Sequence, residues 1–279
     1  LTQSEYQDFT RLYRFSSMKQ RKFLDLYFKH YEVEVIKKLL RHMLGGREGQ
    51  TDLSMFQGFF EKHSELDLET LCRAKNFSEF TEALEGTVYG KLLSQMQEKG
   101  QTGLFDCELK LDLFYFQLLW KLRNKLLSKT ERKILDDCFG SRLDLLNIQW
   151  ICRARSFYRL SQAEIYALLI PVHYRLRADK VKQLVEAEDD AKFFAVLRET
   201  PYGKQEELQT GQMPDIQLLS NQMLNRIYGR TGHRYPHSPA VLDSYLYRKE
   251  LEMRKIVTAL EGIRYGLPAS EIMGLLAKQ

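Results

Sequence analysis

The apolar positions of this chain recur at helical spacing. Between residues 242 and 263, Leu242, Tyr245, Leu246, Met253, Ile256, Val257, Leu260 and Ile263 form one stripe at intervals of mostly three and four. That is the pattern of a helix with one buried face. Residues 23–44 and 104–127 carry the same period. Start and stop signals agree with it. Ser161 and Glu164 form a capping box, and Pro171 ends the helix they open. Gly266 stops the 242–263 helix, and Pro268 opens a short one after it. The stretch GRTGHRYPHSP, residues 229–239, reads as a loop. No run of alternating Val, Ile and Thr predicts a strand, so the expected fold class is all-α.

Two short patterns repeat along this helical chain. Thr-x-Tyr-Gly-Lys occurs at Thr87–Lys91 and again at Thr200–Lys204, a separation of 113 (200 − 87). Each copy has a Phe seven residues before its Thr, Phe80 and Phe193, and a Leu three residues before it, Leu84 and Leu197. The second pattern is an acid followed three residues later by Lys or Asn: Glu34/Lys37, Asp144/Asn147 and Glu252/Lys255. Its acids are separated by 110 and 108 (144 − 34, 252 − 144). From acid to Thr the separations are 53 and 56 (87 − 34, 200 − 144). RLSQAEIYALL at 159–169 also resembles GLPASEIMGLL at 266–276. The agreement predicts three similar helical domains, 1–103, 104–210 and 211–279, in a pseudo-threefold arrangement. The third is incomplete, because a third Thr-x-Tyr-Gly-Lys is due at about position 306.

Composition narrows the functional classes. The 279 residues are 44% hydrophobic and 28% charged, an ordinary globular balance. Against 42 basic residues stand 37 acidic ones, interspersed, for a formal charge of +5. That is a mildly basic solvated surface without the Lys/Arg run of a nucleic-acid binder. It suits an acidic protein partner or an anionic membrane surface. Four cysteines without CxxC spacing read as reduced thiols of a cytosolic protein. The longest clean apolar run, residues 165–172, falls far short of the roughly 20 residues of a membrane span. Leu1 in place of an initiator Met implies a natural start further upstream.

The candidate chemistry is sparse. The Gly-Lys pairs lack the GxxxxGK[ST] spacing of a phosphate loop and follow helical sequence. They read as helix ends, with Gly90 and Gly203 in the left-handed conformation. The acid/Lys-or-Asn pattern reads as pairing along a helix surface. His233 and His237 have a zinc-compatible spacing but no Cys or HExxH partner nearby. No nucleophile elbow, dinucleotide fingerprint or catalytic dyad stands out, so no catalytic residue, cofactor or metal site is expected. The interaction candidates are Arg153 and Arg155 in WICRARSFYRL, residues 150–160, and Arg175 and Arg177 in VHYRLRADK, residues 172–180. Interleaved with aromatics, they could form a basic rim for a protein partner, or bind RNA.

With the repeats in view, residues 143–176 and 246–276 resemble the C subunit of A-type/V-type rotary ATPases, whose eukaryotic relative is the d subunit. FTEALEGTVYGKLL resembles that family's domain-ending stretch, and HYEVEVIKKLLRHML its first acid/asparagine helix, with Lys37 where Asn is usual. The resemblance implies a non-catalytic, funnel-shaped body of three helical domains on the cytoplasmic face of a membrane rotor ring. It implies the ring and the central-stalk subunits as partners, with no cofactor, nucleic acid or small-molecule substrate. It also implies a role in coupling rotation to proton or sodium transport. Family members usually begin with a tyrosine-rich helix and a further threonine–tyrosine segment closing the third domain. Neither is visible in this sequence. A helical scaffold or RNA-binding protein with a basic Arg-rich face is the alternative.

Overall fold

The computed structural model describes residues 2–45, 53–204 and 215–277, and the regular structure among them is entirely helical. The all-α class is therefore the observed one. The first helices are α1 (Thr2–Phe15), α2 (Met18–Leu44), α3 (Ser54–His63), α4 (Leu68–Arg73), α5 (Phe77–Glu82) and α6 (Gly90–Glu98). They are followed by α7 (Leu104–Leu126), α8 (Lys129–Ser156), α9 (Gln162–Leu168), α10 (Ala178–Val185) and α11 (Asp190–Arg198). The last are α12 (Ile216–Arg234), α13 (Ala240–Arg264) and α14 (Ala269–Ala277).

The long helices start where local chemistry favours it. Ser17 and Gln20 form a capping box on α2, Ser128 and Glu131 one on α8, and Ser161 and Glu164 the expected one on α9. Each box satisfies two of the backbone N–H groups that a helix N-terminus leaves without partners. After α13 the chain turns at Gly266, at φ +69°. The equivalent turn after α8 uses Arg159, at φ +52°, the one non-glycine residue with positive φ among the described residues. These positions are 107 apart (266 − 159), the spacing of the echoed segments 159–169 and 266–276.

The loop expected at 229–239 is mostly helix. Residues 229–234 complete α12, and only 235–239 lie outside regular structure. The glycines there serve packing. A Cβ on Gly232 would come within 2.9 Å of the Ser244 side chain on α13, so the two helices approach more closely than alanine permits.

The chain divides into two compact units, 1–126 and 127–279. In the first, α1, α2 and α3 share an aromatic core in which Phe9 stacks on Phe28 and Phe60 meets Phe28 edge-on. Along the other side of α2 runs α7. There the buried Lys37 lies 2.6 Å from Glu34 and 2.8 Å from Asp112 of α7, and Arg41 pairs with Glu108. Burial would lower the Lys37 pKa, but bonds to Asp112 and Glu34 outweigh it and the pKa ends up raised. In the second unit α12 packs along α8 and α13. Its core joins Ile148 and Ile151 of α8 to Val181, Leu184 and Phe193 of α10 and α11, and to Leu224 and Tyr228 of α12.

Each long capped helix therefore lies beside the helix that opens the next sequence repeat: α2 beside α7, and α8 beside α12. The repeat boundary at 103/104 falls at the start of α7. The boundary at 210/211 lies outside the described residues.

Candidate functional site

The Thr-x-Tyr-Gly-Lys segments build the same device twice. Thr87 Oγ1 donates to the Leu84 carbonyl at 2.7 Å and accepts from the backbone N–H of Tyr89 and Gly90. Thr200 Oγ1 likewise donates to the Leu197 carbonyl at 2.7 Å and accepts from Tyr202 N–H. The hydroxyl thus ties off the preceding turn and fixes the direction of the tyrosine. Each tyrosine then reaches an acid buried on a long helix. Tyr89 Oη donates to Glu32 of α2 at 2.8 Å, and Tyr202 Oη to Asp144 of α8 at 2.7 Å. Burial, followed by the adjoining acid, pushes both phenols well above their ordinary pKa, so they remain donors at any physiological pH.

The glycine is needed for close approach, and neither Gly90 nor Gly203 has the left-handed φ expected from sequence. Gly90 is the first residue of α6. A Cβ there would lie 2.3 Å from the Leu84 carbonyl oxygen, and one on Gly203 would lie 2.2 Å from that of Leu197. The segments are packed structural turns in which no cradle for phosphate forms.

Asp144 is the more heavily committed acid. Besides Tyr202 it accepts backbone N–H bonds from Tyr174, Arg175 and Leu176, at 2.7 to 3.1 Å. One turn on, Asn147 accepts from Ile170 N and donates to Ile170 O. This acid–x–x–Asn pair is therefore a clamp on the 170–176 segment, where the sequence suggests a helix-surface pair. Glu32 accepts from Ser64 Oγ at 2.6 Å and from Lys29 at 2.8 Å.

The repeat register shifts accordingly. The partner of Asp144 in the first repeat is Glu32, two residues before the expected Glu34. Acid-to-Thr separations then become 55 and 56 (87 − 32, 200 − 144), in place of 53 and 56. A Lys at i−3 accompanies two of the three acids, Lys29–Glu32 in α2 at 2.8 Å and Lys249–Glu252 in α13 at 3.4 Å, whereas Ser141 stands three residues before Asp144. Glu252 itself has a side chain 59% exposed, whereas Glu32 and Asp144 are buried. Beside it Ile256, Val257, Leu260 and Ile263 are exposed, although Ile148, the counterpart of Ile256 on α8 (256 − 148 = 108), is buried. Conservative removal of the hydroxyls checks the two anchors. Tyr202→Phe and Tyr89→Phe are each expected to cost about 1–2 kcal/mol in urea unfolding, the loss of one buried hydrogen bond.

The four predicted contact arginines fall into two groups. Arg153 and Arg155 end α8. Arg153 is exposed and bonds Gln217, while Arg155 donates to the Val185 and Asp189 carbonyls, at 2.9 and 3.4 Å. Arg155 is thereby a strut that ties α8 to the end of α10. Arg175 and Arg177 precede α10. Arg175 pairs with Asp137 at 2.7 Å and Arg177 with Asp179 at 3.0 Å, both at the surface. Arg175 is thus anchored far from Arg155: its partner Asp137 is 18 positions before Arg155 on α8 (155 − 137), or about 27 Å along the helix. No group of three or more His, Cys, Asp or Glu able to hold a metal ion occurs among the described residues. No helix among them is long and apolar enough to cross a membrane.

Comparison with known proteins gives these repeats a context. The family model "ATP synthase (C/AC39) subunit" matches residues 1–275. The C subunit of the A-type ATP synthase of Methanothermobacter thermautotrophicus is 27% identical over 258 residues, which are 89% of this chain and 66% of that protein. That of Pyrococcus abyssi is 27% identical over 76% of this chain and 57% of its own length. That of Pyrococcus horikoshii is 30% identical over 68% of this chain and 51% of its own length. The chain thus spans between half and two thirds of these relatives.

Proposed function

This chain belongs to the ATP synthase (C/AC39) subunit family, and we propose that it is the non-catalytic subunit linking the central stalk of a rotary ATPase to the ion-carrying ring. The observation that carries this reading is the family match across 1–275. The chemistry of the chain agrees with it. The most elaborate polar arrangements among the described residues, at Glu32 and Asp144, are buried and tie the long helices α2 and α8 to the segments packed against them. A torque-bearing body needs such stiff, dry joints more than it needs a pocket. Its station is the cytoplasmic side of the membrane, and its ion is proton or sodium.

The three-domain organisation belongs to the same proposal. The exposed apolar residues of α13 that flank Glu252 are the surface that completion of the third repeat, 211–279, would cover.

The test is co-purification. Membranes from cells carrying a tagged chain are washed in high salt, solubilised and fractionated. The chain is expected to migrate with ATP-hydrolysing complexes and to show no ATPase activity alone. Recovery only as free protein, or with RNA in a steeply salt-dependent manner, overturns the reading and favours the scaffold or RNA-binding alternative. Among the contact candidates, Arg153→Glu and Arg177→Glu are expected to weaken assembly at least tenfold while leaving the unfolding free energy within about 0.5 kcal/mol of the parent, since both side chains are exposed. Arg155→Ala is expected to lower stability by about 1–2 kcal/mol instead, through the carbonyls it leaves unbonded.

A further inference from the structure

The junction of α8, α12 and α13 contains an acid whose surroundings do not suit a charge. Asp243, in the first turn of α13, is 2% exposed. Its Oδ2 is buried with no hydrogen-bond partner, as is the hydroxyl of Tyr228 on α12. The helices meet here without slack. The Tyr228 and Tyr247 rings stack at 4.0 Å and 6°, and Gly232 lies against Ser244.

The groups that face Asp243 come from all three helices. From α8 come Cys138, whose thiol reaches Asp243 and Thr231, and Arg142. From α12 comes Tyr228, and from α13 itself Glu250. Arg142 is the one cation in this set, and it is drawn to Glu250 at 2.8 Å. The contrast with Asp144 is direct. Asp144 is equally buried but accepts four hydrogen bonds. A carboxylate without such donors is expensive to bury, and taking up a proton removes most of that cost.

We propose that Asp243 is a buried proton-binding site that locks the junction of α8, α12 and α13: the folded chain holds its proton at neutral pH and loses packing there when the proton leaves. Burial first, opposed by Arg142 and aided by Glu250, raises this carboxyl to about 8. The sign follows from linkage. The folded chain binds the proton more tightly than the unfolded chain, whose ordinary aspartate value is 3.8. Stability is therefore greatest at low pH with respect to this group, falls as pH rises between the two values, and is flat above the upper one. From about pH 5 to pH 7 the equilibrium constant for closing this junction should fall about a hundredfold from this group, and from pH 7 to pH 9 about a further tenfold.

The experiment compares the intact chain with Asp243→Asn, which keeps the shape and cannot ionise. Amide hydrogen-exchange protection factors, corrected for intrinsic rates, are measured across α12 and α13, with α2 as the internal reference. Expected is an approximately tenfold loss of protection in α12 and α13 between pH 7 and pH 9 in the parent, absent from the variant and from α2. Equal losses in parent and variant, or in α2 as well, overturn the proposal. Carbon NMR titration of the Asp243 carboxyl in the parent decides the matter if the variant fails to fold. A protonated carboxyl at pH 7 is expected, and an ionised one overturns the proposal.

Discussion

Asp144→Ala is expected to destabilise the chain by about 4–5 kcal/mol, a large fraction of the stability of an ordinary domain. The size comes from what the substitution leaves behind. Three backbone N–H groups, of Tyr174, Arg175 and Leu176, and the phenol of Tyr202 all lose their acceptor. Leu176 and Tyr202 are buried, so water cannot replace the carboxylate for their groups without opening the core. Each buried donor left unsatisfied costs about 1–3 kcal/mol.

Glu32→Ala supplies the control. Glu32 occupies the matching place in the first repeat, but its donors are the side chains of Tyr89, Ser64 and Lys29. Side chains can rotate toward water or another acceptor, whereas backbone groups held by a turn cannot. Its loss should be smaller, about 2–3 kcal/mol. Urea unfolding of the two variants checks the order. Equal costs, or a larger one for Glu32, would show that backbone donors are not what makes Asp144 matter.

Much of this is legible in the sequence, and the exceptions have physical causes. The periodic stripes locate α2 and α7 because burying one helix face imposes its period on the residues; the stripe of α13 locates that helix too, although its Tyr245, Ile256, Val257, Leu260 and Ile263 are exposed rather than on the buried face expected. Capping chemistry locates the start of α9 for the same kind of reason, since it acts within one helical turn. Residues 229–234 mislead because glycine has two uses: Gly232 reads as a breaker but serves a close helix crossing. Gly90 and Gly203 mislead similarly, by close approach where a left-handed turn is expected. The sequence favours Glu34 over Glu32 because an acid–x–x–Lys match is local, while the contact that defines the repeat runs from Glu32 to Tyr89, far along the chain. Among the arginines, sequence shows charge but not commitment. Nothing near Arg155 in the chain announces that the carbonyls of Val185 and Asp189 will claim it.

Gly203→Ala carries the second large effect, expected at about 3 kcal/mol, with Gly90→Ala smaller at about 1–2 kcal/mol. In both, the added methyl meets the carbonyl oxygen six residues earlier, at 2.2 Å for Gly203 and 2.3 Å for Gly90. The next neighbours separate the two. Around Gly203 the Arg198 backbone also intrudes, with its Cα at 2.3 Å and its carbonyl carbon at 2.6 Å. Around Gly90 the next atoms stand at 2.9 and 3.4 Å. These are backbone atoms, so no rotamer change relieves the clash, and the turn itself must move. Moving it withdraws Tyr202 from Asp144, so the packing cost and the hydrogen-bond cost are coupled. A double-mutant cycle reads that coupling. If Gly203→Ala displaces the tyrosine, then adding Tyr202→Phe to it should cost almost nothing, against about 1–2 kcal/mol in the parent. Full additivity would mean that the turn absorbs the methyl with its anchor intact, and that the glycine and the tyrosine serve the repeat separately.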